Sequence, residues 1–291
     1  MMMVSRQLQV FACAAQCRSI SKAARQLHIV QPAVSNAVAA LEDELGVTLL
    51  THDRRQGMLL TPVGEKILSL VLQMQELEER IRETAREENG LLSGRVRIAC
   101  LSSLISIVLA RPLQLFTSAY PQVELQILEG TPSELFELIE RHAADFALSC
   151  SPFGRFAVQP LQRDHLCAVF PPGQQGTEIS LSDPPGRLIV NRPACETLQD
   201  FAPHTELRPG HMLLVQNAES AVELVRQGVG IGIISEFTAK TLAPEFERFA
   251  VKPDVSFEIG LFATDLKALP PAADRLLRLI GQSFSGAEPP Q

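Results

Sequence analysis

Apolar residues recur every three or four positions through the first ninety residues, then gather beyond Gly94 into short β-type runs. The first pattern predicts helices over Leu8 to Ala15 and Ser19 to Leu27, with Ser19 placed as an N-cap. A third helix runs from Gln31 to Leu45. In it Val34, Val38, Leu41 and Leu45 fall at spacings of four, three and four, one buried stripe. Pro32 suits its first turn, where a missing N–H costs nothing, and Gly46 ends it. A fourth helix begins at Pro62 and meets no strong breaker after Gly64 until about Asn89. Val63, Ile67, Leu70, Met74, Leu77 and Ile81 alternate at four and three, a heptad seam that predicts pairing with another helix. The alternative is one long helix packed on its own domain. At about 1.5 Å per residue it would run roughly 40 Å.

Beyond the hinge-like "NGLLSG" at 89–94, β-rich runs alternate with helical stretches. The strands predicted are Val96–Cys100, Val123–Leu128, Asp145–Cys150, Leu166–Phe170, Leu188–Val190, Leu213–Gln216, Ile231–Ile234 and Glu258–Ala263. The clearest helices are 104–118, 132–142 and 218–228. This alternation argues an α/β domain with mostly parallel strands, long enough for two lobes. The expected division is 1–61, 62–93 and 94–291.

A chain of 291 residues with 46% apolar and 20% charged residues is globular and holds more than one domain. No apolar run approaches the ~18 residues of a membrane span. Ser5, Arg6, Gln7 and Gln9 interrupt any secretion signal, so the expected location is the cytoplasm. The six cysteines form no C-x-x-C pair and read as small buried hydrophobes. Net charge is −7, but unevenly spread. Residues 1–61 hold six Lys/Arg against four acids, 62–93 four against seven, and 94–291 sixteen against twenty-two. No acid precedes Glu42. A basic head on an acidic body suits a polyanion met at one end.

Two short helices joined by a tight turn at 28–30, the second opening on small and polar residues, match a helix-turn-helix. The stripe leaves Gln31, Ser35, Asn36 and Ala39 on or near the opposite side. Small residues there let the helix sink into a major groove, and Gln and Asn offer paired donors and acceptors to base edges. Acids on that lip would meet phosphates; Glu42, Asp43 and Glu44 stand at the far end. The plain alternative is an Ala-rich amphipathic helix.

The stretch "SISKAARQLHIVQPAVSNAVAALEDELGVTLL" from Ser19 closely resembles the winged helix-turn-helix of LysR-type transcriptional regulators, and the match resumes at "LTPVG" from Leu60. The resemblance implies an all-α winged head, a long linker helix, and a two-lobed α/β effector domain like periplasmic solute-binding proteins. It implies a homo-oligomer, often a dimer of dimers, paired through the linker helix. Promoter DNA, a small-molecule effector and RNA polymerase are its implied partners. By position, Ser21 and Lys22 would sit near phosphates, Gln31, Pro32, Ser35 and Asn36 at the major groove, and Arg54 and Arg55 in a wing along a minor groove. Where the family usually has L-F-x-R this chain has Leu49-Leu50-Thr51-His52, and its wing is about a residue longer.

In α/β sheets, ligands meet the C-terminal ends of strands and the helix starts that follow. Ser102 and Ser103 follow "VRIAC", Gly130 and Thr131 follow "VELQILE", Ser151 follows "DFALSC", and Asn217 and Ser220 follow "LLVQ". Hydroxyls and free N–H groups at helix starts favour an anionic metabolite. The rival reading is ordinary N-capping. "GVGIG" from Gly228 follows a helix and leads into a strand, the reverse of a dinucleotide fingerprint. No G-x-S-x-G or H-E-x-x-H occurs, and the histidines lack ligand spacing, so neither catalysis, cofactor nor metal is expected. Cys100, Cys150 and Cys195 fall near the expected cleft and keep an oxidant-sensing variant open. A solute receptor and an α/β enzyme with a regulatory head are the alternatives. The missing export signal and DNA-like head weigh against the first, and the missing catalytic constellation against the second.

Overall fold

Three helices open the computed structural model, which describes residues 5–53, 57–87, 93–174, 176, 178–205 and 212–285: α1 (Arg6–Cys17), α2 (Ile20–Gln26) and α3 (Gln31–Leu45). Side-chain oxygens start the first two, Ser5 Oγ accepting from Leu8 N and Ser19 Oγ from Lys22 N, each at 3.3 Å. The three pack around Phe11, Ala14, Ala23 and Val34, all fully enclosed. In α3 the buried stripe holds at Val34, Val38 and Leu41 but fails at Leu45, which is 44% exposed. The reason lies one residue beyond Leu41. The Glu42 carboxylate turns inward and accepts from Leu49 N at 2.6 Å and Leu50 N at 3.1 Å, so the returning chain packs there and the last turn overhangs.

That return leads into an antiparallel hairpin, β1 (Leu50–Asp53) and β2 (Gly57–Leu60), with Leu50 opposite Leu60. Thr61 then caps α4 (Pro62–Glu87), accepting from Gly64 N at 3.0 Å while donating to Thr48 O at 2.8 Å. Gly64 is required here, because a Cβ would meet Leu49 O at 2.2 Å. The expected heptad seam divides. Val63 and Ile67 pack on the head's own core beside the buried Val71. Leu70, Met74, Leu77 and Ile81 stay 43–57% exposed.

The chain folds as two compact units, Met1–Gly90 and Leu91–Gln291. The second opens with β3 (Gly94–Cys100), α5 (Ser102–Leu104), a π-helical turn over Ile105–Leu109 and α6 (Ala110–Ala119). Next come β4 (Val123–Glu129), α7 (Pro132–Glu140), β5 (Phe146–Cys150) and the 14-residue β6 (Ala157–Phe170). β7 (Glu178–Ser180), β8 (Leu188–Asn191), α8 (Arg192–Phe201), β9 (Met212–Val215) and α9 (Ala218–Arg226) follow. The chain continues through β10 (Ile231–Ser235), α10 (Glu236–Leu242), β11 (Glu247–Lys252), β12 (Ser256–Ala263) and α11 (Pro271–Ser285).

β6 organises two lobes. Its first part pairs with β12, extending the order β4-β3-β5-β12-β6, and its last residues pair with β10 and β11 in the second lobe. β3 runs parallel to β4 and β5, and β8 parallel to β9 and β10; the strands beside β6 are antiparallel. β5 and β8 are buried throughout, as expected of central strands covered on both faces. Gly232 on β10 permits the tight packing in the second lobe, since a Cβ would meet Val169 at 2.5 Å and Val225 at 3.0 Å.

Glu42→Ala removes a charged acceptor from two backbone donors and is expected to cost on the order of 2 kcal/mol in chemical unfolding of the head. Glu42→Gln should recover part of that loss, and unchanged unfolding of the alanine variant would contradict the role given to Glu42.

Candidate functional site

The N-terminal unit presents one bare helix face. Because Val34, Val38 and Leu41 face inward, Gln31, Pro32, Ser35, Asn36 and Ala39 are all exposed, and the first turn of α3 carries no acid. Asp43 and Glu44 are exposed too, but twelve or more residues along, about 18 Å down the helix axis from Gln31. On α2, which packs against α3, Lys22 is exposed and Ser21 half-buried. Exposed Arg25 donates to Ser21 O at 3.5 Å. Arg54 and Arg55 lie outside the described residues. Val30, which sequence reasoning passed over, is the N-cap of α3 and makes no side-chain cap bond. A Ser or Thr at such a position is worth about 1 kcal/mol over an apolar residue.

The C-terminal unit holds a cleft of about 270 Å³ where four strand ends converge. Ser102 and Ser103 enter it after β3, Glu129 and Gly130 at the end of β4, Asn191 and Pro193 at the end of β8, and Gln216 and Asn217 after β9. Of the residues expected at an effector site, Ser102, Ser103, Gly130 and Asn217 therefore come together. Thr131 is buried at the start of α7, its N–H given to Glu134 Oε2 at 2.8 Å. Ser151 Oγ accepts from Glu258 N at 2.9 Å, and Ser220 is exposed, its N–H given to Asn217 Oδ1 at 2.9 Å. These three do not line the cleft.

Asn191 is the main residue that sequence reading missed. It follows "LIV" as Asn217 follows "LLVQ", and Pro193 two residues on marks a helix start. Its Oδ1 accepts from Ala194 N at 3.2 Å. Two carboxylates, Glu129 and Glu134, line the cleft among the described residues, with no Lys or Arg beside them. The groups that can meet an anion there are Ser hydroxyls, Asn and Gln side-chain amides and those helix-start N–H groups not already capped, not side-chain cations. Across the lobes, Glu196 Oε2 on α8 accepts from Ser133 N on α7 at 3.0 Å. A smaller cavity of about 30 Å³ lies among Leu101, Cys150, Asn191, Thr197, Ser235 and Thr238, room for little more than a water.

Where β6 crosses between lobes, Asp164 is buried and accepts from Ser235 Oγ at 2.5 Å and Phe237 N at 3.1 Å. Burial pushes its carboxyl up, and those hydrogen bonds oppose the push. His165 Nε2 stands 3.5 Å from Glu236 Oε2, which also holds Lys240 Nζ at 2.9 Å. Ligand atoms of Asp164, His165 and Glu236 lie within 4.8 Å of one another. Ser235, Phe237 and Lys240 already engage the two carboxylates, which ties α10 to the crossing strand. Burial also raises the thiols near the cleft, Cys150 to about 11 and Cys100 and Cys195 above the usual range. Cys167 is pushed up to about 12. These are thiols at neutral pH, poorly suited to oxidant sensing.

Two family models match the chain. "Bacterial regulatory helix-turn-helix protein, lysR family" covers residues 5–65, and "LysR substrate binding domain" covers 89–285. The chain is 31% identical over 287 residues to the HTH-type transcriptional regulator YoaU of Bacillus subtilis (strain 168), covering 96% of this chain and 98% of that one. Among solved structures, full-length OxyR from Pseudomonas aeruginosa matches with a TM-score of 0.69 at 21% identity, over 97% of this chain and 94% of that one. Full-length CbnR complexed with its target DNA matches at 0.61 and 22% identity, over 96% and 99%.

The buried thiols imply a labelling pattern. In the folded protein near pH 8, a maleimide should modify the half-buried Cys17 and Cys195 first. Cys100, Cys150 and Cys167 should react only on unfolding, as read by peptide mass spectrometry; rapid native labelling of Cys150 would contradict the burial described.

Proposed function

The chain belongs to the LysR family of bacterial transcriptional regulators, and on that premise we propose that it reads promoter DNA with α3 and answers to a small anionic effector in its C-terminal cleft. The family is one of regulators with a DNA-binding and an effector-binding domain, not of enzymes. The observation that carries the reading is the exposed, acid-free start of α3, seated by its buried stripe.

In this reading the chain divides into a winged head at 1–61, a linker at 62–93 and an effector domain at 94–291. Gln31, Ser35 and Asn36 meet base edges in the major groove while Pro32 keeps the lip narrow. Ser21 and Lys22 meet phosphates, and Arg54 and Arg55 follow the minor groove. CbnR, which shares the fold, is solved with its target DNA, in keeping with a head that binds DNA. The exposed run Leu70, Met74, Leu77 and Ile81 on α4 pairs with a second copy, and two such dimers make the tetramer. No described helix is long and apolar enough to cross a membrane, and the proposed place of action is the cytoplasm, with RNA polymerase as the downstream partner.

The effector's anionic end meets the helix starts at Ser102, Ser103, Asn191 and Asn217, with Gly130 giving close backbone approach. Glu129 asks for a hydrogen-bond donor elsewhere on the same molecule. Thr131, Ser151 and Ser220 hold the strand ends and helix starts around it, not the ligand directly. Ligand binding shifts the lobes about the crossing strand, and the oligomer changes the spacing of its heads.

Three measurements test this reading. Gln31→Ala or Asn36→Ala should weaken binding to a duplex enriched from a random library by about 1–3 kcal/mol and relax the sequence preferred, whereas Lys22→Ala should weaken all duplexes alike and lower the salt slope by about one. Equal loss on random and enriched duplexes for all three would contradict the assigned roles. Leu77→Glu should lower the assembly state in sedimentation; an unchanged oligomer would remove α4 from the interface. In a thermal-shift screen of carboxylic metabolites, Asn191→Ala should abolish the shift given by any hit, and hits confined to neutral or cationic compounds would reject the anionic effector.

A further inference from the structure

Val30 is the most exposed large apolar side chain among the described residues, at 69%. Its position makes the exposure unusual. Ser5, Ser19, Asn191, Asn217 and Ser235 start their helices with a side-chain oxygen accepting a backbone N–H. α3 and α5 instead open on apolar residues that form no such bond, Val30 and Leu101, but Leu101 is buried and Val30 is not. Val30 lies in extended backbone, φ −82° and ψ 148°, a conformation in which Ser or Thr would cap. An apolar group is thus held in water at a site where a polar one would stabilise the fold. It directly precedes the exposed Gln31 at the tip of α3, in line with the stripe of Val34 but beyond its packing, so it stands at the end of the helix given to DNA.

Chemistry narrows what such a side chain can meet. The floor of the major groove presents donors and acceptors at every base pair, and its one apolar group is the 5-methyl of thymine. In a helix-turn-helix the residues at the start of the second helix reach the base edges. We propose that Val30 packs against a thymine 5-methyl group and selects a T·A pair at one position of each half-site. This rests on the reading of α3 as the recognition helix, and it adds an apolar readout to the polar contacts of Gln31 and Asn36.

The test uses the full-length protein and the duplex it enriches from a random library. Each thymine is replaced singly by deoxyuridine, which lacks only the methyl group. The wild type should lose on the order of four-fold in affinity per half-site at one symmetry-related position, as one buried methyl group predicts. Val30→Ser should weaken the thymine duplex similarly and be indifferent to deoxyuridine there, while its melting temperature stays equal or rises through the restored cap. Val30→Thr keeps one methyl and should retain part of the sensitivity. If no position responds to deoxyuridine in the wild type, or if Val30→Ser keeps the full response, the inference is overturned while DNA recognition by α3 stands. Failure to enrich any sequence would overturn the recognition reading and this inference with it.

Discussion

The seating of α3 decides what the head can do. Val34, Val38 and Leu41 lock one side of the helix against Phe11, Ala14 and Ala23, and a helix so fixed has one free side. That side carries Gln31, Pro32, Ser35, Asn36 and Ala39. A helix of 3.6 residues per turn leaves little choice: rotating it by one residue would bury Ser35 and expose Val34. The three acids that make the end of α3 look ill suited to DNA divide in role. Glu42 engages the backbone of Leu49 and Leu50, and so positions the hairpin, while Asp43 and Glu44 remain in water at the distant end.

A second constraint shapes the C-terminal unit. One strand, β6, belongs to both lobes, and the chain crosses back between β11 and β12, where Val255 O accepts from Leu166 N at 2.9 Å. A movement of the lobes therefore bends about residues near Asp164, Leu166 and Val255. The cleft between strand ends is bridged by the Glu196–Ser133 hydrogen bond, and the crossing is braced by Ser235 and Phe237 on Asp164. Each of these hydrogen bonds is worth on the order of 1–3 kcal/mol, and they stand beside a buried apolar cluster that runs through both lobes and a Cys150–Thr197 contact at 3.7 Å. In the proposed mechanism an effector competes with them. Coupling of that kind is reciprocal, so DNA favouring one lobe arrangement must alter effector affinity by the same factor.

Much of this fold was legible in the sequence where a period was strong. The three head helices, the long α4 and the eight expected β-runs appear in their places, because a buried stripe or a fully buried strand leaves an unbroken apolar signature. What was missed lacked one. The first half of β6 reads "AVQPLQRDH", polar and holding Pro160, and forms a strand only because β12 pairs with it around a register shift. β11 turns Phe249 and Val251 inward between exposed neighbours, a signal only two apolar residues long. α8 begins on Arg192 and Pro193 after a buried strand, so the start that carries Asn191 into the cleft was not recognised. Leu45 fitted the stripe by spacing yet lies in water, since no periodicity shows that Glu42 ends the core contact. Val30 gave no signal at all, because an apolar residue before a helix ordinarily reads as buried.

Dimethyl sulfate footprinting of the full-length protein on its enriched duplex addresses the central claim most directly, because the reagent attacks guanine N7 in the major groove and adenine N3 in the minor groove. Docking of the bare face of α3 predicts protected guanines in two patches separated by about one helical turn or a multiple of it, the protection lost in Gln31→Ala and Asn36→Ala. Protection confined to adenine N3, or guanine protection that both variants leave intact, would contradict it.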